Sequence, residues 1–193
     1  MSSNTVQLTK DVYGLLSRLP RCDYRTARDQ LPYNGIYVFH ERGEVAQLHG
    51  TATDRIVRIG THREEGRFQA RIRNHYGPVN TIGGNKNSSV FRRHLGGALL
   101  RQQDPHDPRL RGWTKQGGRS FPEVEEQVSH VLRQNFTFFC FPVDHRSDRL
   151  TLERGIIALL AQAPLGQPCG KWKNWGEWPV EYPTHQRAAS HYR

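Results

Sequence analysis

The chain has 193 residues, the length of one ordinary domain with modest tails, and this excludes two large domains. Hydrophobic residues make up 35% of it and aromatic residues 10%, so we expect a polar but folded protein rather than a disordered one. The formal net charge is +10, and the sequence has no apolar run long enough to form a transmembrane helix. The N-terminus lacks the apolar centre of a signal peptide, and Cys22, Cys140 and Cys169 form no CxxC pair. These features favour reduced thiols and a cytoplasmic protein, associated with the nucleoid if the source is bacterial.

The positive charge is concentrated in the middle third of the chain. Residues 55–119 contain 14 lysines and arginines but only 4 aspartates and glutamates, whereas basic and acidic residues balance on either side. A charge confined to one segment of a folded domain is typical of a protein that binds a polyanion such as nucleic acid. Most of the basic residues are arginines, whose guanidinium groups suit bidentate phosphate contacts.

The first part of the chain predicts a helix followed by two strands. The helix covers residues 5–19 and ends at Pro20, and the strands cover residues 34–40 and 54–62, with the turn-like sequence ERGE after the first. Alternation predicts a core face with Ile36, Val38, Val57 and Ile59, and an opposite face with Tyr37, Phe39, Ile56, Arg58 and Gly60.

A helix predicted over residues 66–76 carries two parallel stripes. The apolar stripe, expected to pack, consists of Phe68, Ile72 and Tyr76. The basic stripe, expected to present three cations in a row, consists of Arg67, Arg71 and His75.

Further helices and one strand are predicted in the second half. The helices cover residues 89–101, capped by Ser88 or Ser89, residues 120–134, opened by a capping box of Ser120 and Glu123, and residues 148–163. Residues 103–119 are predicted to form a long loop, and residues 135–143 a strand.

Four features in this order resemble the GIY-YIG nuclease family. They are Gly35-Ile36-Tyr37 in the first strand, Arg58-Ile59-Gly60 ending the second, Arg71 and His75 on one helix, and Glu153 on a later helix. The resemblance covers residues 31–163 and implies an α/β chain of α+β type, with a central three-stranded antiparallel sheet flanked by helices. Residues 1–30 are then an N-terminal helical extension, and residues 164–193 a tryptophan-rich tail that packs on the domain.

The resemblance also implies an activity, the metal-dependent hydrolysis of DNA phosphodiesters. Tyr37 would activate the attacking water, Arg71 would stabilise charge on the phosphate, and Glu153 would hold one divalent cation, Mg²⁺ or a substitute such as Mn²⁺. A single carboxylate is enough for Mg²⁺ when water and phosphate oxygens fill the remaining positions. His75, one turn after Arg71, would act as an auxiliary base or bind phosphate.

Each candidate also has a structural explanation. Tyr37 is a residue type common in strands, and Arg71 and His75 could form a solvated helix face. Glu153 lies in an apolar helix, where a partly buried carboxylate calls for a metal or for an arginine such as Arg149 or Arg154.

The sequence departs from the family pattern at two places. Arg58 stands where the second motif normally has tyrosine; it cannot act as a base, but alternation places it on the Tyr37 face, where it could bind phosphate. Asn174 is the candidate for an active-site asparagine, although it lies far from Glu153 along the chain. Trp172, Trp175 and Trp178 surround it at three-residue steps, and we expect them to pack rather than to stack on bases.

The remaining basic residues suggest a DNA-binding surface. The predicted contacts, besides Arg58, are His62, Arg67, Lys86, Arg92 and Arg93, supported by the Arg109, Arg111, Lys115 and Arg119 loop. The leading hypothesis is an endonuclease acting on duplex DNA, with the oligomeric state left open. The alternative is a catalytically impaired nucleic-acid-binding module on the same fold, and RNA or an acidic protein remains a possible partner.

Overall fold

The fold is a mixture of helices around one small sheet. A computed structural model describes residues 3–26, 28–48 and 50–163. In chain order its elements are α1 (Ser3–Leu16), a 3-10 turn (Arg28–Gln30), β1 (Gly35–Leu48), β2 (Thr51–Gly60), α2 (Phe68–Tyr76), α3 (Val90–Gln103), α4 (Arg109–Thr114), α5 (Pro122–Asn135), β3 (Phe136–Pro142) and α6 (Arg146–Gln162). The strands form an antiparallel sheet in the order β2-β1-β3, which confirms the predicted α+β fold.

The chain divides into two compact units. Among the described residues, unit 1 comprises those up to residue 69 and those from 137 onward, and unit 2 comprises residues 70–136. The sheet, α1 and α6 therefore belong to unit 1, while α3, α4 and α5 belong to unit 2. The helix α2 begins in unit 1 and continues into unit 2.

The core of unit 1 lies between one face of the sheet and two helices. It contains Tyr13 and Leu16 from α1, Leu160 from α6, and Ile36, Val38, Ala46, Ile56, Ile59 and Phe139 from the strands. Because helices and strands bury their apolar sides together, α1 is part of this core rather than a separate appendage.

The pairing of β1 with β2 contains an irregularity that sequence alternation does not predict. Phe39 pairs with Arg58, but the next residue, His40, pairs with Ile56, so the register shifts by one residue. A shift of this kind turns the following side chains to the other face of the sheet. Ile56 consequently shares the core with Ile59, and the prediction that it lies on the opposite face is wrong.

His40 is enclosed by this irregular pairing. The imidazole is 3% exposed, its Nδ1 lies 3.2 Å from the Asp54 carbonyl oxygen, and its ring meets the edge of Phe139 at a centroid distance of 5.1 Å. Because a carbonyl only accepts, Nδ1 carries the proton, and Nε2 has no hydrogen-bond partner among the described residues. Burial, with a smaller effect of Arg21, lowers the pKa of His40 from 6.5 to about 4.

We predict that His40 makes the protein less stable in mild acid. The unfolded chain binds a proton at His40 near pH 6.5 and the folded chain only near pH 4, so stability decreases as the pH falls through that window. The loss attributable to His40 is on the order of 3 kcal/mol across the window. Denaturant titrations at pH 7 and pH 4.5 should show a smaller pH effect in His40→Asn than in wild type. His130→Asn, on an exposed side of α5, is the control and should behave like wild type.

Unit 2 differs from its sequence prediction at two points. Residues 103–119 contain the short helix α4, whose Trp113 is fully buried and donates from Nε1 to the Arg93 carbonyl oxygen at 2.8 Å. The predicted capping box is wrong, because α5 starts at Pro122, and the Ser120 hydroxyl instead donates to Glu125 Oε1 at 2.9 Å. The predicted cap of α3 is confirmed at Ser89, whose hydroxyl oxygen accepts from the Arg92 amide.

Candidate active site

The two sequence motifs lie side by side in the sheet. Gly35-Ile36-Tyr37 begins β1, Arg58-Ile59-Gly60 ends β2, and the register pairs Tyr37 with Gly60. A Cβ atom added at Gly60 would overlap the Tyr37 hydroxyl and Cζ. Gly60 is therefore required by the tyrosine on the neighbouring strand, because any side chain would occupy the space of the phenol.

The Tyr37 ring is held in a fixed position. It is fully buried, its centroid lies 5.5 Å from that of Phe39 in an edge-to-face contact, and it lies 6.2 Å from that of Phe68. Such aromatic contacts favour one orientation of the ring. The hydroxyl is consequently directed at Gly60, at the end of the second motif.

Arg58 lies on the same side of the sheet as Tyr37. Its partner across the strands is Phe39, and directly opposed residues of an antiparallel pair project from the same face. The side chain is partly exposed. The residue that replaces the motif tyrosine thus places a permanent positive charge on the Tyr37 face.

His62 and Asn34 form a small buried polar cluster next to the motifs. The Asn34 Oδ1 atom accepts from the Gly66 amide and from His62 Nε2, both at 2.8 Å. His62 is 4% exposed, and its ring packs edge-on against Phe68 at 5.7 Å. His62 therefore positions the loop after β2. Its side chain, which the sequence predicts to contact phosphate, is buried inside unit 1.

Comparison with protein families identifies this arrangement. A family model of the GIY-YIG domain matches residues 6–176. The chain belongs to the GIY-YIG nuclease family. Comparison with curated proteins and with solved structures gives no significant match. The family is known for endonucleases, and its domain implies a nuclease-type function and a nucleic-acid substrate.

Arg71, the third GIY-YIG candidate, lies on α2 within unit 2. Its Nη1 donates to the Ser88 carbonyl oxygen at 3.2 Å, which anchors the partly buried side chain. Its Nε has no hydrogen-bond partner among the described residues.

His75 does not extend the cationic stripe that the sequence predicts. It is fully buried in unit 2, with Nδ1 hydrogen-bonded to the Ser89 hydroxyl at 2.8 Å and the ring 5.7 Å from Phe91. The apolar stripe is confirmed, since Phe68, Ile72 and Tyr76 are all buried. His75 thus ties α2 to the start of α3, and this contact supports the position of Arg71.

Two residues predicted to contact DNA lie inside unit 2. Arg92 is fully buried, and Lys86 donates from Nζ to Asn87 Oδ1 and to the Lys115 carbonyl oxygen, both at 3.1 Å. Burial lowers the pKa of the Lys86 ammonium and of the Arg92 guanidinium. Both side chains are bonded to protein partners, so neither lies on the DNA-binding surface for which the sequence predicts it.

The exposed basic residues are found in both units. Arg67, with 64% of its side chain exposed, pairs with Glu64 at 3.8 Å in unit 1. In unit 2, Arg93 is partly buried, while Arg111, Lys115 and Arg119 are exposed. Arg109 is neutralised by Asp107 at 2.7 Å and Glu123 at 3.0 Å.

Glu153 lies on α6 in unit 1 and is partly exposed. Arg149, one of its predicted ion-pair partners, donates from Nη1 to the carbonyl oxygens of Val143 and Asp144. Among the described residues no group of three or more histidine, cysteine, aspartate or glutamate side chains could hold a metal.

Asn174 and the three tail tryptophans lie outside the described residues. Asn34 and Tyr33 were missed by the sequence interpretation. Tyr33 is 70% exposed, and its ring lies over the backbone of Gly66, whose φ is +69°. Their position directly before Gly35 was the sequence signal that could have identified them.

In the described part of the chain, no helix has both the length and the apolar character that a bilayer span requires.

Proposed function

We propose that this GIY-YIG protein is a metal-dependent endonuclease that hydrolyses phosphodiester bonds in duplex DNA. The observation that carries the proposal is the pairing of Tyr37 with Gly60, which joins the two motifs of the family through a contact between the phenol and the glycine. The family match over residues 6–176 supports the nuclease chemistry. The excess of basic residues between positions 55 and 119 supports a polyanionic substrate.

Tyr37 and Arg71 have complementary roles in this proposal. In its deprotonated form the Tyr37 oxygen orients the attacking water and accepts its proton, and the ring contacts with Phe39 and Phe68 fix the position of that oxygen. Arg71 donates to the phosphate oxygens, where negative charge increases in the transition state. Its bond to Ser88 pre-positions the guanidinium, so little reorganisation is needed when the substrate binds.

Glu153 is the proposed holder of the divalent cation. When bound, Mg²⁺ would supply positive charge to the reacting phosphate. The partial exposure of Glu153 leaves room for the water and phosphate oxygens that complete the coordination of such an ion. Arg58 contributes a second positive charge on the Tyr37 face and is proposed to bind a phosphate rather than to act as a base.

Plasmid nicking tests the proposal directly. Supercoiled plasmid incubated with the purified protein and Mg²⁺ should be converted to the open-circular form, and EDTA should prevent the conversion. A panel of plasmids and oligonucleotide duplexes of different sequence is used so that a sequence-specific enzyme also meets a substrate it can cleave. Absence of cleavage across that panel with both Mg²⁺ and Mn²⁺ would contradict the proposal.

A second candidate function is nucleic-acid binding without cleavage. Two observations favour it: Arg58 replaces a motif tyrosine, and the Tyr37 side chain is fully buried. This alternative predicts salt-sensitive binding to DNA or RNA that does not respond to Mg²⁺. Metal-dependent cleavage that disappears in Glu153→Ala would exclude it, and competition between duplex DNA and RNA would identify the preferred polymer.

The exposed cations of unit 2 should control the salt dependence of DNA binding. We predict that replacing both Arg111 and Arg119 with alanine makes the negative slope of log K against log salt concentration shallower by about 2, since each phosphate contact releases roughly 0.9 counterion. Arg109→Ala is the matched control, because its guanidinium is already paired with Asp107 and Glu123 and its loss should leave the slope near the wild-type value. Fluorescence anisotropy with a labelled duplex measures both; equal slopes for all three proteins would contradict a contact at these residues.

A further inference from the structure

The segment after α1 brings one cysteine next to β3, which carries another. Cys22 forms an isolated antiparallel bridge with Phe138, with its amide donating to the Phe138 carbonyl oxygen at 2.8 Å and the return bond at 2.9 Å. Bridged residues project from the same face, and so do residues two apart on a strand. Cys140 therefore lies diagonally across from Cys22, and both belong to unit 1.

The two side chains are close enough for each to influence the protonation of the other. Both cysteines are free thiols, Cys22 being 5% exposed and Cys140 partly exposed, and the Cys22 thiol donates to the Pro20 carbonyl oxygen at 3.7 Å. The interaction with the Cys140 thiol, helped by Thr26 and opposed by burial, lowers the pKa of Cys22 to about 7. The same interaction, together with burial, raises the pKa of Cys140, so the proton stays on Cys140 and the thiolate forms at Cys22.

We propose that Cys22 and Cys140 form a dithiol site that hydrogen peroxide oxidises to an intramolecular disulfide. The thiolate of Cys22 attacks one peroxide oxygen, which breaks the O–O bond, releases water and leaves a sulfenic acid. The Cys140 sulfur then attacks the Cys22 sulfur, the S–S bond forms and a second water leaves. Peroxide accepts the two electrons that the two thiols lose, and a dithiol reductant reverses the reaction.

Formation of the bond requires a small local shift. Diagonal neighbours on one face lie roughly 7–8 Å apart, whereas the Cα atoms of a disulfide lie roughly 4.4–6.8 Å apart. Cys22 lies between α1 and the 3-10 turn, where its one bridge to Phe138 holds it, so the shift would take place in this segment rather than in the strand β3. The disulfide would then fasten this segment to the strand next to β1, which carries Tyr37.

Mass-spectrometric mapping of the full-length protein tests the site without any reference to nuclease activity. Reduced protein is exposed to hydrogen peroxide, its remaining thiols are alkylated in denaturant, and it is digested without reductant. We expect a linked Cys22–Cys140 peptide that dithiothreitol releases. Alkylation of both cysteines after peroxide treatment, or a link of either one to Cys169 or to a second copy of the chain, would overturn the proposal.

Single variants separate the two steps. Cys140→Ser should stop at the sulfenic acid of Cys22, which dimedone traps, and Cys169→Ser should give the same linked peptide as wild type. Near pH 7 a larger fraction of Cys22 than of an ordinary thiol is thiolate in the folded protein. Peroxide should therefore consume Cys22 of the folded protein about tenfold faster than it consumes Cys169 of the unfolded protein. Failure of dimedone to label Cys22 in Cys140→Ser would refute its role as the attacking sulfur.

Discussion

Substitution of Tyr37 by phenylalanine should lower the rate of Mg²⁺-dependent plasmid nicking by roughly 10²–10⁴-fold, the range typical of losing a general base. The change removes one hydroxyl and keeps the ring, so the contacts with Phe39 and Phe68 are preserved. The expected loss therefore reports on the chemistry and not on the fold. Initial nicking rates at saturating DNA measure it.

Matched variants make this result specific. Tyr24→Phe also removes a phenolic hydroxyl from unit 1 and retains the ring under the Arg25 guanidinium, so it should nick at the wild-type rate. Arg71→Ala and Glu153→Gln should each reduce the rate by about 10²-fold or more. Nicking by Tyr37→Phe at the wild-type rate would remove Tyr37 from the mechanism and return it to the role of a core aromatic residue.

The largest expected effect on stability comes from Arg92. This fully buried guanidinium donates to Glu125 Oε2 at 2.8 Å, to the Glu125 carbonyl oxygen at 2.7 Å, to the Ser129 hydroxyl at 2.9 Å and to the His75 carbonyl oxygen at 3.0 Å. Arg92→Met should lower the free energy of unfolding by about 3–5 kcal/mol, because it leaves the buried Glu125 carboxylate without its cation. Denaturant titration measures the loss.

The partner residue provides the decisive control for this prediction. Combining Arg92→Met with Glu125→Leu removes both charges, and the double variant should be more stable than Arg92→Met alone, since no unpaired charge remains buried. Arg111→Met changes an exposed arginine on α4 and should alter stability by no more than about 0.5 kcal/mol. A loss below about 1 kcal/mol in Arg92→Met would contradict the structural role that its hydrogen bonds indicate.

Local signals in the sequence were sufficient for much of the fold. The cap at Ser89, the apolar stripe of α2 and the alternation around Tyr37 each depend on residues within a few positions, and the structure confirms them. The three-stranded antiparallel sheet followed from the family resemblance rather than from the pattern alone. The continuation of β1 to Leu48 was not predicted, because Gly43, with a φ of +85°, lies inside the strand and reads as a turn.

Partners distant in sequence explain what could not be predicted. The sequence pattern suggests an exposed Arg92, because its buried partner Glu125 lies 33 positions later in the chain. His62 looks like an isolated histidine until Asn34 accepts its Nε2 proton. Ile56 reaches the core only because the register shifts next to His40. In each case a periodic pattern gave the face of an element, while the identity of the neighbour came from tertiary packing.

The contact between Tyr37 and Gly60 makes the residue tolerated at one position depend on the residue at the other. Because the phenol fills the space where a side chain at position 60 would lie, a larger residue at 60 requires a smaller one at 37. In a library randomised at both positions, folded members should be scarce among those that keep tyrosine and lose glycine. The glycine thus serves as a readable marker, in any chain with this strand pairing, that the neighbouring strand still holds its tyrosine in place.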